Sequence, residues 1–432
     1  MTDIVKGAPP SEAWAFCGAR RLALAGVDWF EPPARLPAAE STGWEVACAL
    51  AEPVAAEPLA QLARGARRVA IAVPDLSRLC PVADVLPPLV NELALAGVRD
   101  DDITVVVGCG LHRSTTTAEK ATLVGSALAA RLRIVDAQGL EQVSRDLGAT
   151  GDGTPVLISE PIANADLVIT IGVVEPHLYA GFSGGVKGVS IGCAGEPTIA
   201  HTHRPAFIDQ PGVVLGHLEN NPFQETLREI AARTNLRYAV NLVMNEEGRA
   251  VQVAAGDPVR VQQTLAHAHK AAWLRAVPER FDVLIAGIHT PKSEGLYQAS
   301  RAATYAGLAA RPAIADGGLI IICADLPKAA GDGPGELNFA DVLAAASPSD
   351  VIARGLREPL GPGGQRAFVV AKVLRRFRLV VHGCPRPDFL TPLGIGVAPD
   401  LQETLEAEAA RLGRRPRVLA VADAMATVVH QA

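Results

Sequence analysis

Short, almost unbroken apolar runs, each followed by a helix-periodic stretch, recur along this chain. RVAIAV (68–73) leads through PDLSRLCP into VADVLPPLVNELALAG, which closes on Gly97. DITVVVGCG (102–110) leads through LHRSTT into TAEKATLVGSALAARL, and LRIVDA (132–137) and ADLVITIGVV (165–174) follow. A strand covered on one face alternates apolar and polar residues, whereas one apolar at nearly every position is buried on both faces. The pattern predicts an α/β fold with mainly parallel sheets sandwiched between helices.

At 432 residues the chain exceeds a single ordinary core, and the alternation restarts late in the sequence. LRYAVNLVMNEEGRAVQVAAGD (236–257) reads as a hairpin turning at Glu247–Gly248, followed by the helix PVRVQQTLAHAHKAAWLRA. FDVLIAGI, YQASRAATYAGLAA, GLIIICAD, FADVLAAA, QRAFVVAKVLRRF, RLVVHG, LQETLEAEAARLG and RVLAVAD then alternate between strand and helix. The expected division is two α/β domains, 1–275 and 276–432, with the active site in the cleft between them.

The formal charge of −6 and the lack of a basic, aromatic-spaced face argue against nucleic-acid binding. MTDIVKGAPPSEAW has no basic segment followed by an apolar one, so no secretory signal is expected, and no apolar run is long enough to span a bilayer. Seven scattered cysteines without a C-x-x-C pair read as reduced thiols, hence a cytoplasmic protein. Cys109 and Cys193, beside glycine-rich turns, read as small apolar filler.

In parallel sheets, ligands bind at the carboxyl ends of the strands. Asp75, Ser77 and Arg78 follow one strand, His112 and Arg113 the next, and Glu175 and His177 a third. The third strand runs into HLYAGFSGGVKGVSIGCAGEPTIAHTH (177–203), with six glycines, three histidines and one lysine. Gly181–Gly188 fails the Walker phosphate-loop pattern, with Val186 before the lysine and Gly188 after it, although a backbone nest for an anion stays open. His177, His201 and His203 could instead serve a zinc or manganese hydrolase, but no Cys or acidic residue completes a set at standard spacing, and i, i+2 histidines converge only on an extended segment.

PDLSR, GLHR, EPHLYAGFSGGVKGVSIGCAGEPTIAHTH and LYQASR, in that order, resemble the signature of the nickel-dependent lactate racemase family of 2-hydroxyacid racemases and epimerases. The resemblance covers residues from about 69 to 305. It implies a nickel pincer nucleotide, a pyridinium mononucleotide binding nickel through a ring carbon and two sulfurs, made by dedicated cofactor-synthesis enzymes. It assigns Lys187 as covalent anchor, His203 as nickel ligand, and His112 and His177 as acid/base residues. Asp75, Ser183, Gly184 and Gly185 would line the cofactor, the glycines letting backbone approach it closely. Arg78, Tyr297, Gln298 and Arg301 would bind the substrate.

These roles suit the chemistry. The C2–H bond of a 2-hydroxyacid is barely acidic, so it is broken by hydride transfer to an electron sink, through a 2-keto acid. The hydroxyl proton must leave at the same time, and imidazole titrates in the right range. In the family's lactate enzymes a lysine stands where Arg301 stands here, and a tryptophan near the site has no counterpart around GPGGQRAFVVAKV. A guanidinium is a wider, bidentate fork, so a substrate more polar than lactate is expected. Protein made without the synthesis enzymes is expected to be apo. A homologue that keeps the cofactor site without turnover is the remaining alternative, His201 and Glu175 receive no role, and self-association is left open.

Overall fold

The computed structural model describes residues 12–33, 36–138, 143–245 and 247–432. They form two compact units, one comprising the described residues of 36–203 and 210–270, the other those up to 33 together with Arg204–Asp209 and Ala271–Ala432.

The chain opens with β1 (Trp14–Gly18), β2 (Arg20–Ala23) and β3 (Trp29–Glu31), which belong to the second unit. The first unit contains β4 (Val69–Pro74), β5 (Ile103–Gly108), β6 (Arg133–Asp136), the hairpin β7 (Ser144–Ala149) and β8 (Pro155–Ser159), and β9 (Leu167–Val173). After β9 come the two-residue pair β10 (Pro176–His177) and β11 (Gly181–Phe182), then β12 (Leu236–Met244) and β13 (Ala250–Gly256).

The main sheet of this unit runs β13-β12-β9-β4-β5-β6, parallel throughout except for the β12/β13 hairpin. The hairpin is the one expected from the sequence, with Gly248 at φ 73° in its turn. Five of the six residues of β4 and the first five of β9 are buried, as a sheet covered on both faces requires. Chain order reverses between β4 and β9: β5 and β6 extend the sheet one way, and β9 with β12 the other. In open parallel sheets, the carboxyl ends of the strands that flank such a reversal are where ligands bind.

The second unit adds β14 (Leu274–Val277), β15 (Phe281–His289), β16 (Ile314–Cys323), β17 (Arg378–His382), β18 (Gly396–Val397), β19 (Val418–Val421) and β20 (Val428–Gln431). Its sheet places β15, β16, β17 and β18 side by side in parallel. On its other edge β15 pairs with β19 through Val283–Ala286 and with β1 at Ile288 and His289. This departs from the expected division at residue 275. The first three strands complete the C-terminal sheet, β3 pairing with β19 and Ala15, Cys17 and Phe30 entering its core. Strands of three to five residues carry too little periodicity to reveal so distant a partner.

Candidate active site

Three strand ends supply the side chains. After β4, Asp75 Oδ1 accepts from Ser77 N–H at 3.1 Å and Ser77 Oγ–H at 2.5 Å, while Oδ2 lies 2.7 Å from His112 Nδ1. Burial works to raise the Asp75 pKa; the bonds from His112 and Ser77 outweigh it and hold the carboxyl below its usual range. Arg78 Nη1 reaches Glu175 Oε1 at 3.3 Å, tying the end of β4 to the end of β9 across the point where chain order reverses.

The loop after β5 is fastened on both sides. Gly110 N–H donates to Gly192 O at 3.0 Å, and Thr115 Oγ–H donates to Asp136 Oδ1, at the end of β6, at 2.5 Å. Lys120 lies 2.8 Å from the other oxygen of Asp136. His112 rides on this loop with its side chain 60% exposed. Burial, with Asp136 adding to it, pushes the Cys109 thiol up to about 12, so it is no thiolate at neutral pH. Cys193 is fully buried and shifted the same way, chiefly by burial. All seven cysteines are outside disulfides, and these two act as the filler expected.

After β9 the chain makes the tight β10–β11 pair, in which His177 stands opposite Gly181. His177 Nδ1 accepts from Tyr179 N–H at 3.3 Å and Ala180 N–H at 3.1 Å. Ser183 Oγ–H donates to Val173 O at 2.7 Å and its oxygen accepts from Glu175 N–H at 3.0 Å, pinning the loop to the strand it left. Gly181 and Gly184 have φ of 72° and 80°. A Cβ on Gly181 would fall 1.9 Å from His217 O, and one on Gly184 would fall 2.7 Å from Asn241 Oδ1. The space these glycines leave is thus filled by the protein itself, and Gly185 N–H is committed to Asn241 Oδ1 at 2.7 Å. On the side where a Cβ would project, their bareness serves the close fit of the loop on its own unit.

Lys187 follows this loop and enters a single π-type turn, Gly188–Gly192, a wide turn that recurs at functional sites. The helix Glu196–His203 comes next, so His201 and His203 are helical and, two residues apart, diverge around its axis. His203 Nδ1 lies 3.0 Å from Ile199 O, so Nδ1 carries the proton and Nε2 the lone pair, the tautomer of a metal-ligating histidine. The Tyr179 ring meets both His177 and His203 edge-on, at 5.8 and 5.9 Å between centroids. His201 turns elsewhere: its Nδ1 is 2.9 Å from Thr154 Oγ1, whose proton goes to Asp152 Oδ1 at 2.7 Å. Among the described residues no group of three or more His, Cys, Asp or Glu side chains could hold a metal ion. The three-histidine hydrolase centre is therefore not formed there.

Asn241 and Gln262 were not singled out by sequence reasoning, yet they hold the loop from beneath. Gln262 Nε2 donates to Phe182 O and Ser183 O at 3.1 and 3.0 Å, and both residues are at most 1% exposed. The signal available was a lone Asn inside the apolar run YAVNLVM: a buried amide must find partners. In the second unit, Tyr297, Gln298 and Arg301 lie on the helix Leu296–Gly307. Tyr297 Oη accepts from Gln365 Nε2 at 3.4 Å, and the Arg366 guanidinium stands 5.6 Å over its ring. No described helix is long and apolar enough to cross a membrane.

The fold and the site define a two-unit α/β protein with His112 and His177 on the loops that leave two strands of a parallel sheet at their carboxyl ends. Residues 27–216 match the lactate racemase N-terminal domain. The lactate racemase of Thermoanaerobacterium thermosaccharolyticum is 27% identical over 391 residues, 89% of each chain. That of Lactiplantibacillus plantarum is 29% identical over 395 residues, 88% of this chain and 89% of the relative. The solved lactate racemase apoprotein from T. thermosaccharolyticum superposes with a TM-score of 0.85 at 24% identity, covering 97% of this chain and all of that one. A Thermotoga maritima protein shares the fold at a TM-score of 0.66 and 14% identity, over 92% of this chain and all of that one. In sequence and in fold the chain is similar to lactate racemases, the family match falling on residues 27–216.

Proposed function

We propose that the chain is a nickel-pincer-dependent racemase or epimerase of a 2-hydroxyacid more polar than lactate. The observation that carries the reading is that His112, His177, Lys187 and His203 all lie in the matched domain, within one compact unit, with the Tyr179 ring against both His177 and His203. The donor chemistry fits the cofactor: with its proton on Nδ1, His203 carries the Nε2 lone pair of a ligating imidazole, and a single protein ligand suffices when the organic group brings the other three. Lys187 would hold the nucleotide by a thioamide bond and His203 its nickel. When bound, the nickel pincer nucleotide supplies the hydride acceptor and donor for the C2–H bond.

The chain's own residues do the rest. His112, oriented by Asp75, takes the hydroxyl proton at Nε2. His177 faces the same oxygen chemistry from the other strand end. Arg78, held by Glu175, is a cation for the C1 carboxylate. Tyr297, Gln298 and Arg301 are assigned to the substrate's remaining polar groups.

The test is a panel of enantiopure 2-hydroxyacids carrying deuterium at C2, given to protein co-expressed with the cofactor-synthesis enzymes and followed by chiral chromatography. Interconversion is expected, fastest for dicarboxylate or polyhydroxy acids. Loaded protein that interconverts none of them defeats the reading.

A further inference from the structure

We propose that the two acid/base histidines are held in opposite tautomers, with His112 a proton acceptor and His177 a hydrogen-bond donor at Nε2, and that Asp75 and Asn221 are the positioning residues that set them. The reaction roles rest on the function proposed above; the tautomers rest on hydrogen bonds alone.

A neutral imidazole carries one proton, and the partner of one nitrogen decides where it sits. His112 Nδ1 faces Asp75 Oδ2 at 2.7 Å. The other Asp75 oxygen already takes two donors from Ser77, so the carboxylate presents only lone pairs to the ring. The proton must lie on Nδ1, which leaves the Nε2 lone pair of an accessible side chain ready to take a proton.

His177 has the reverse surroundings. Its Nδ1 faces the N–H groups of Tyr179 and Ala180, and neither can accept. A proton on Nδ1 would set N–H against N–H, so the proton lies on Nε2. The second of these donors cannot easily turn away. The Tyr179–Ala180 peptide is gripped at its other end, where Asn221 Nδ2 donates to Tyr179 O at 2.9 Å. The side chain of Asn221 is fully buried, and its Oδ1 accepts from Phe223 N–H and Gln224 N–H at 3.0 and 3.4 Å.

The site is therefore chemically handed before any substrate arrives. For one hand of substrate, His112 takes the hydroxyl proton while the neutral His177 steadies the oxygen as a donor. For the other hand, His177 becomes the base only in its other tautomer, which requires the Nε2 proton to pass to water, a proton from water to reach Nδ1, and both the Tyr179 and Ala180 N–H groups to turn from the ring.

Histidine-¹⁵N-labelled full-length protein, without cofactor and at about pH 8, where imidazole is ordinarily neutral, reads both tautomers by long-range ¹H–¹⁵N correlation. The spectra of His112→Gln and His177→Gln assign the two rings. The expected pattern is a protonated Nδ1 on His112 and a protonated Nε2 on His177; the same tautomer on both rings overturns the proposal. Asp75→Asn is the second arm. Ser77 keeps the amide oxygen, the NH₂ turns to the ring, and His112 should switch to Nε2–H, with turnover of loaded protein falling about 10²–10⁴-fold. A His112 signal unchanged in Asp75→Asn removes Asp75 from the role, and the wild-type spectrum decides alone if that variant does not fold. Failure of loaded wild-type protein to racemise any 2-hydroxyacid would count against the proposed function and leave the tautomers as measured.

Discussion

Gly108 and Gly192 pack backbone against backbone: a Cβ built on Gly108 would lie 3.1 Å from both the Cα and the carbonyl carbon of Gly192. This contact seats the π-type turn after Lys187 directly on the end of β5, and the Gly110–Gly192 hydrogen bond lies beside it. It couples the candidate anchor to the loop that carries His112. Neither backbone can move aside as a flexible side chain would. Gly108→Ala is expected to lower stability by about 1–3 kcal/mol, as overpacking does. It should lower the midpoint of urea unfolding with little change in slope. An unchanged midpoint would show that the contact gives way freely.

Asp152 predicts an acid-labile corner of the same unit. Its Oδ1 accepts from Thr150 Oγ, Thr154 N–H and Thr154 Oγ, and its Oδ2 from Thr226 Oγ. Burial pushes its pKa up, but these bonds win and hold it at about 2. A carboxyl depressed in the folded state stabilises where it is ionised. That stability is present above the unfolded value of about 4. It is lost as pH falls toward 2. Asp152→Asn should therefore cost stability at pH 7 and flatten the loss of melting temperature over that window. A parallel pH curve in the variant would contradict this.

The readable part of the molecule was the part governed by local pattern. Val- and Ile-rich runs such as Val69–Val73 announce strands buried on both faces, and the alternation then puts Asp75, His112 and His177 at strand ends. What stayed hidden depends on partners far away in sequence. Phe30 lies in a three-residue strand whose neighbour is residue 420, and no period can be read from so short a piece. That the Cβ directions of Gly181 and Gly184 point into His217 and Asn241 is visible only in the fold. The tautomers of His177 and His203 follow from hydrogen bonds to Ala180 and Ile199 that residue identity alone cannot announce.

Lys187 and His203 should be separable by experiment. In protein co-expressed with the cofactor-synthesis enzymes, Lys187→Ala should lose the adduct in intact-mass spectra. His203→Ala should retain the organic adduct and lose nickel by metal analysis, because it removes one ligand of four and no covalent bond. Full adduct mass on Lys187→Ala would refute the anchor assignment.

Arg301 bears on substrate choice. A guanidinium presents a planar fork that can take a carboxylate through two parallel charge-assisted bonds, whereas an ammonium is a compact point charge. If Arg301 recognises a second carboxylate or a distal hydroxyl, a substrate ending in a bare methyl forgoes those charge-assisted bonds, a loss of about 1–3 kcal/mol. That penalty corresponds to a preference of about 5- to 150-fold for the more polar acid. Arg301→Lys should narrow the preference by keeping the charge without the fork, chiefly by slowing the dicarboxylate or polyhydroxy acid relative to lactate. The measurement is kcat/KM for both substrate classes on loaded wild-type and variant protein, with nickel content matched. Equal ratios in the two proteins would mean that the fork at residue 301 does not choose the substrate, and the expectation of a polar 2-hydroxyacid would lose its basis.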